Sequence, residues 1–83
     1  MTPTIQLLAF GGTKTIVGAP QSRFPIDASC SADELLDALC RHYPGLAPQR
    51  KVLRLAVNGA YVALDARVAP DDEVALIPPV AGG

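Results

Sequence analysis

A chain of 83 residues, 49% apolar and only 18% charged, can form one domain but has no room for a second hydrophobic core. Its net charge of −1, with dispersed basic residues, excludes the electrostatic footprint of a nucleic-acid-binding protein. It has no apolar run of membrane-spanning length, no secretory leader pattern and no cysteine spacing typical of a metal site. We therefore expect a cytoplasmic protein that binds no metal, nucleic acid or membrane.

The first predicted strand runs from Ile5 to Phe10 and ends at Gly11-Gly12, which we interpret as a turn. The segment Gly11-Gly12-Thr13-Lys14 lacks the spacing of a phosphate-binding loop, so nucleotide binding is not predicted there. Arg23 to Ala28 is the second predicted strand. We place it at a sheet edge, because Pro25 has no N–H to donate.

Ser31 and Glu34 have the spacing of a capping box and predict that a helix begins there. Pro44-Gly45 ends the helix. The apolar positions repeat at intervals of three and four: Ala32, Leu35, Leu36, Leu39, Cys40 and Tyr43. Cys40 is therefore interpreted as a small core residue. The only histidine, His42, is interpreted as a surface residue near the helix end, and the basic cluster Arg50, Lys51 and Arg54 as solvated surface.

Asn58-Gly59 is the preferred dipeptide of a tight hairpin turn, and it predicts paired strands from Leu53 to Val57 and from Tyr61 to Leu64. A last strand is predicted from Glu73 to Ile77. The order is strand, strand, helix, strand, strand, strand. This order predicts an α+β fold in which one helix covers one face of one sheet.

The other face of that sheet has no second helix to cover it. Burying the side chains of Gln6, Arg54 and Glu73 beneath a helix would cost free energy, so we assign them to the outward face. Because side chains alternate along a strand, every second residue from these positions points outward as well. The same alternation carries five apolar residues outward: Leu8, Phe10, Ala56, Ala75 and Ile77. Tyr61 is expected near this patch, although the alternation of side chains cannot be followed across the Asn58-Gly59 turn to fix the face on which Tyr61 lies. Either a partner protein or a loop of this chain covers the patch.

The sequence ends in Pro78-Pro79-Val80-Ala81-Gly82-Gly83. The two prolines remove N–H groups and favour an extended course, so we predict one domain over residues 1–77 and an extended, flexible tail over 78–83. Glycine has no Cβ, which lets the tail enter a narrow slot and leaves the last carbonyl open to attack. These features suit a carrier whose own terminal carboxylate is chemically activated.

The chain resembles the ubiquitin-like sulfur carriers, and among them the small subunits of molybdopterin synthase. The resemblance rests on these positions and motifs: Phe10, Lys14, Gly18, Val57-Asn58, Asp72-Glu73-Val74-Ala75 and the six-residue tail. The chain departs from the family pattern at three places. Asp71 replaces a glycine, Thr15 replaces an acid, and Leu76-Ile77 replace aromatics.

The resemblance implies a β-grasp (ubiquitin-like) fold, a mixed sheet with one main helix on one face. It also implies that Gly83 is adenylated and then converted to a thiocarboxylate that donates sulfur to the pterin precursor in molybdopterin synthesis. The chain itself would be a non-catalytic subunit without a bound cofactor, while the activating enzyme uses ATP and magnesium. The implied partners are the large synthase subunit in a heterotetramer, an E1-like adenylyltransferase and a persulfide sulfur donor.

Under this resemblance the site divides into docking residues and a tail that lines the partner's channel. The docking residues are Phe10, Tyr61 and Ile77; the tail residues are Pro78, Pro79, Val80, Ala81 and Gly82; Gly83 bears the reacting carbonyl. Three other interpretations stay open. The carrier delivers sulfur to thiazole, cysteine or another metabolite, or it is a protein modifier joined to lysines, or it is an interaction domain with an incidental diglycine.

Overall fold

The computed structural model describes residues 2–78, which form seven strands and three helices. The strands are β1 (Thr4–Ala9), β2 (Gln21–Pro25), β3 (Cys30–Ser31), β4 (Arg54–Val57), β5 (Ala60–Tyr61), β6 (Arg67–Val68) and β7 (Glu73–Ile77). The helices are α1 (Gly12–Val17), α2 (Ala32–His42) and a 3₁₀ helix (Pro44–Gln49).

Five of the strands form a mixed sheet in the order β2-β1-β7-β4-β5. The central pair, β1 and β7, is parallel, and the other neighbours are antiparallel. β3 and β6 form a separate two-stranded sheet. The predicted α+β class, with a mixed sheet and one main helix, is confirmed, and β2 is an edge strand as predicted.

One hydrophobic core lies between the five-stranded sheet and α2. Alternate residues of β1 and β7 enter it because successive side chains of a strand point to opposite faces. The largest fully buried apolar residues are Ile5, Leu7, Leu35, Leu36, Leu39, Leu46, Leu76, Val68 and Val74. Cys40 and Tyr43 pack against this core while partly buried. The apolar stripe predicted for the helix is therefore the stripe that packs on the sheet.

The capping box predicted at the start of α2 is present. The Glu34 N–H donates to the Ser31 hydroxyl over 3.0 Å, and the Ser31 N–H donates to the Glu34 carboxylate over 2.9 Å. The Ser31 N–H lowers the pKa of Glu34, because the bond favours the ionised carboxylate. A short local motif therefore fixes where the helix begins.

The prediction of a single helix was wrong, because α1 begins within the segment interpreted as a turn. Six residues are too few to reveal a helical period in the sequence. Two contacts with other residues define α1: the Thr13 side chain bonds to Phe10 before it, and Gly18 ends it in the left-handed region with φ 95°. Ile16 and Val17 pack against the core.

Two predicted strands differ from the structure by more than one residue at an end. The second runs from Gln21 to Pro25 and not from Arg23 to Ala28. The strand predicted from Tyr61 to Leu64 is only Ala60–Tyr61. The chain then leaves the sheet, because the Leu64 carbonyl accepts the Asp33 N–H at the start of α2 over 2.9 Å. The backbone groups of this segment cap a helix instead of extending the sheet.

Candidate docking face and tail root

The face of the sheet turned away from α2 carries a row of apolar side chains across four strands. The register pairs Leu8 with Ala75, Ala75 with Ala56, and Ala56 with Tyr61. Partners in register share a face, so these residues stand side by side. The structure thus places Tyr61 on the predicted face, which the sequence alone left open. Ala75 is only 8% exposed, since Leu8 and Ala56 flank it.

A second row lies nearer to the tail and contains Phe10, Ile77 and Arg54. Ile77 pairs with Arg54, and Phe10 follows Ala9, whose partner is Leu76, so Phe10 stands at the level of Ile77. The Phe10 side chain is 49% exposed and that of Tyr61 is 69% exposed, while Ile77 is partly exposed. We define the docking face as Leu8, Phe10, Ala56, Tyr61, Ala75 and Ile77.

The far end of the sheet, away from the tail, is polar. Gln6 pairs with Arg23 on one side and with Glu73 on the other, and all three are exposed. The apolar surface is therefore confined to the part of the sheet from which the tail leaves. An exposed apolar patch bordered by polar residues is typical of a surface that binds another protein.

The tail root is Pro78, the last residue described, and it lies against the turn between β1 and α1. A Cβ added to Gly11 would lie 3.2 Å from the Pro78 Cγ, and Gly11 has φ 55°. A side chain at this position would be strained by the backbone conformation and crowded by the proline. Gly11 thus lets the tail root pass close to the turn.

Thr13 holds that turn together from inside the protein, and it is fully buried. Its hydroxyl accepts the Phe10 N–H over 3.0 Å and donates to the Phe10 carbonyl over 2.6 Å. Thr13 is not among the site residues predicted from the sequence. A threonine three positions after an aromatic is a signal for such a side-chain-to-backbone turn, but it is a weak one.

The hairpin turn is tied to the start of β7 at the other end of the sheet. Asn58 and Gly59 have φ 52° and 88°, which confirms the predicted turn. The Asn58 amide accepts the Glu73 N–H over 3.0 Å and donates to the Asp72 carboxylate over 3.1 Å. Asp71 also has a positive φ, of 72°, a left-handed conformation that aspartate tolerates better than most residues.

An open groove of about 1000 Å³ adjoins the docking face along the β4–β5 side and reaches the tail root at Pro78. Two large apolar residues that line it, Val52 and Leu64, are 51% and 53% exposed. Neither residue is among the site residues predicted from the sequence, because the groove is formed by segments that are distant along the chain. Tyr61 and Ile77 belong to the groove as well as to the docking face.

The basic cluster is only partly a solvated surface. Arg50 bridges Asp33 and Asp37 of α2 at 2.6 and 2.9 Å, and this pairing raises its pKa above the ordinary value. Arg50 is thus committed to holding the chain that follows the 3₁₀ helix against α2. Lys51 and Arg54 are exposed, as predicted.

The cysteines and the histidine have no arrangement suited to catalysis. Partial burial raises the pKa of both the Cys30 and the Cys40 thiols, which favours their unreactive protonated form. The exposed His42 ring packs against the Tyr43 ring in a T-shaped arrangement, with centroids 4.6 Å apart. Over residues 2–78 there is no cluster of three or more potential metal ligands, and none of the helices is long and apolar enough to cross a membrane.

The structure brings the three expected docking residues, Phe10, Tyr61 and Ile77, onto one face and places Pro78 at the same end of the sheet. The expected tail residues Pro79, Val80, Ala81 and Gly82, and the expected reacting residue Gly83, lie outside the described residues. The site therefore consists of an apolar docking face, a neighbouring groove and the root of the tail.

Comparison with known proteins identifies this architecture. Residues 7–83 match the ThiS family. Among curated proteins, the chain is 32% identical to the molybdopterin synthase sulfur carrier subunit of Arabidopsis thaliana over 95% of its length and 82% of the relative. It is 33% identical to the subunit of that name from Dictyostelium discoideum over the full length of both. Among solved structures, SAMP1 from Haloferax volcanii matches with a TM-score of 0.77 at 28% identity, over 96% of this chain and 99% of that one.

Proposed function

Because the chain belongs to the ThiS family, we propose that it is the sulfur carrier subunit of a molybdopterin synthase and holds sulfur as a thiocarboxylate on Gly83. The observation that carries this proposal is the likeness to proteins of that name, at 32% and 33% identity over 95% and 100% of this chain. The predicted β-grasp fold agrees with these relatives. The exposed apolar surface of the sheet, confined to the tail end, supports a role in which docking and delivery occur together.

The terminal carboxylate needs activation before it can accept sulfur. A terminal carboxyl has a pKa of about 3.3–3.7, so at neutral pH it is an anion and a poor electrophile. An E1-like adenylyltransferase, with ATP and magnesium, joins the Gly83 carboxylate to AMP and releases pyrophosphate. The terminal sulfur of a persulfide donor then displaces AMP. A second thiol cleaves the resulting acyl disulfide, forms a disulfide with the donor and leaves the thiocarboxylate.

The partner for delivery is the large synthase subunit. In this proposal the docking face rests on that subunit, the residues from Pro78 to Gly82 line its channel, and the Gly83 sulfur meets the pterin precursor there. The carrier supplies no acid or base to the reaction. This division fits the described residues: the cysteines pack against the core and the histidine packs against Tyr43. The large exposed apolar residues lie on the docking face or in the neighbouring groove.

The test is to extend the chain by one alanine after Gly83 and to incubate it with its adenylating enzyme, ATP, magnesium and a persulfide donor. The unextended protein is expected to gain the mass of one oxygen replaced by sulfur and to support pterin conversion by the large subunit. The extended protein is expected to do neither, because its last residue carries a Cβ beside the reacting carbonyl and displaces Gly83 from the end of the tail.

The thermal midpoint is the control, since an extension beyond Gly83 adds nothing to the core within residues 2–78. Equal midpoints with lost sulfur transfer support the proposal. Normal sulfur transfer by the extended protein would contradict it, as would the absence of any mass gain in the unextended one.

A second candidate function, a protein modifier, is favoured by the likeness to SAMP1, a small archaeal modifier protein. The same adenylated glycine would then react with a lysine amine instead of a persulfide. Isopeptide conjugates carrying this chain would support the modifier, whereas thiocarboxylate that is consumed together with the pterin precursor would support the synthase subunit. Consumption with a thiazole or cysteine precursor would assign the carrier to another pathway.

A further inference from the structure

Among the residues of 2–78 that are buried as a whole, Thr13 is the only polar one. A hydroxyl removed from water is costly unless its hydrogen bonds are satisfied. Both bonds of this hydroxyl go to one residue, Phe10: one from the Phe10 N–H and one to the Phe10 carbonyl. The Thr13 N–H also donates to that carbonyl over 3.1 Å. A core residue is thus bonded to the backbone of the exposed aromatic on the docking face.

These bonds determine the backbone conformation at the point where β1 ends. The Phe10 N–H follows the last residue of the strand and has Thr13 as its partner. Without the hydroxyl, this partly buried N–H would have to turn toward water to regain a hydrogen bond, and the Phe10 ring would move with it. The neighbouring Gly11, which lies against Pro78, belongs to the same turn.

We propose that Thr13 is a positioning residue for partner docking: it holds Phe10 in the orientation that the large subunit binds. This inference rests on the proposed function, since Phe10 is a docking residue within it. A turn that adopts the competent shape only part of the time weakens binding in proportion to that fraction. Preorganisation by Thr13 keeps the fraction near one without contact between Thr13 and the partner.

The first test compares Thr13→Val with Thr13→Ser in the full chain. Valine keeps the shape of threonine and removes the hydroxyl, whereas serine keeps the hydroxyl and removes the methyl group. We expect Thr13→Val to weaken binding to the large subunit about tenfold, and Thr13→Ser to bind within about twofold of the unmodified protein. Equal binding by all three proteins would overturn the proposal.

The second test separates positioning from general loss of stability. Ser31→Ala removes the exposed hydrogen bond that caps α2, and it destabilises the protein without changing a residue of the docking face. This variant is expected to bind the large subunit with an unchanged Kd. If Ser31→Ala and Thr13→Val weaken binding equally, Thr13 acts through stability alone and the proposal fails.

A double-mutant cycle with Phe10→Ala gives the decisive readout. Once the aromatic ring is absent, Thr13 has nothing to position, so adding Thr13→Val to Phe10→Ala should change the Kd less than about twofold. A further tenfold loss in that background would overturn the proposal. Should Phe10→Ala bind as well as the unmodified protein, the docking role of Phe10 is wrong and this inference falls with it, while sulfur loading of Gly83 stays intact.

Discussion

The face of the sheet under α2 and the face turned away from it are built from alternate residues of the same strands. In β7, Leu76 is fully buried while its neighbour Ile77 is partly exposed; in β1, Leu7 is fully buried while its neighbour Leu8 is partly exposed. One face contributes to the stability of the fold, and the other leaves apolar surface for a partner. Adjacent residues in one strand therefore have separable effects.

The largest expected effect is on the core face. Leu76→Ala should lower the free energy of unfolding by about 2–5 kcal/mol, because it leaves a cavity beneath α2. Ile77→Ala should lower it by about 1 kcal/mol or less, and should weaken binding to the large subunit about tenfold. Urea unfolding and titration calorimetry measure the two quantities. A larger stability loss for Ile77→Ala than for Leu76→Ala would break the distinction between the faces.

A smaller effect on stability is expected at the Asn58-Gly59 turn, which sets the pairing register of β4 and β5. Asn58→Gly keeps a residue suited to φ 52° and removes both side-chain hydrogen bonds, so it should cost about 1–2 kcal/mol. Asp71→Gly is the matched control, because Asp71 also has positive φ but its side chain makes no hydrogen bond within residues 2–78. We expect this variant to unfold at or above the denaturant midpoint of the unmodified protein. A cost equal to that of Asn58→Gly would refute the role of the Asn58 bonds.

The smallest expected effect is on the pH dependence of stability. It concerns Glu34, which lies on neither face of the sheet. The pKa of Glu34 is below its ordinary value of 4.5, because the Ser31 N–H donates to its carboxylate. The stabilisation is therefore present above pH 4.5 and is lost as the pH falls through the lowered pKa of the folded state. Thermal midpoints of Glu34→Gln, measured over this range, should fall less steeply with acid. Binding at neutral pH should be unaffected, and identical acid slopes would contradict the prediction.

Local patterns were sufficient for several parts of the fold. The capping box at Ser31, the hairpin turn at Asn58-Gly59 and the last strand from Glu73 to Ile77 were confirmed. Each depends on residues within one turn or one strand, where hydrogen bonding and side-chain alternation act over short separations. For the same reason, the sequence was sufficient to predict which residues of each strand point to the docking face.

Other parts of the site depend on residues that meet only in the folded chain. The close approach of Gly11 to Pro78 spans almost the whole sequence, and the Val52 and Leu64 groove joins separate segments. Arg50 was predicted to be a solvated surface residue, but it forms ion pairs with Asp33 and Asp37. These two aspartates are one helical turn apart, so both face Arg50. No pattern within a few residues contains these contacts.

The sequence by itself determined which residues alternate between core and surface, where α2 begins, and where the hairpin turn lies. The tertiary structure decided that Tyr61 joins the docking face, that Ala75 is shielded by its neighbours and that Thr13 fixes the backbone of Phe10. The physical reason is that backbone geometry and alternation act between neighbours along the chain, whereas shielding and exposure depend on which strands pair across the sheet.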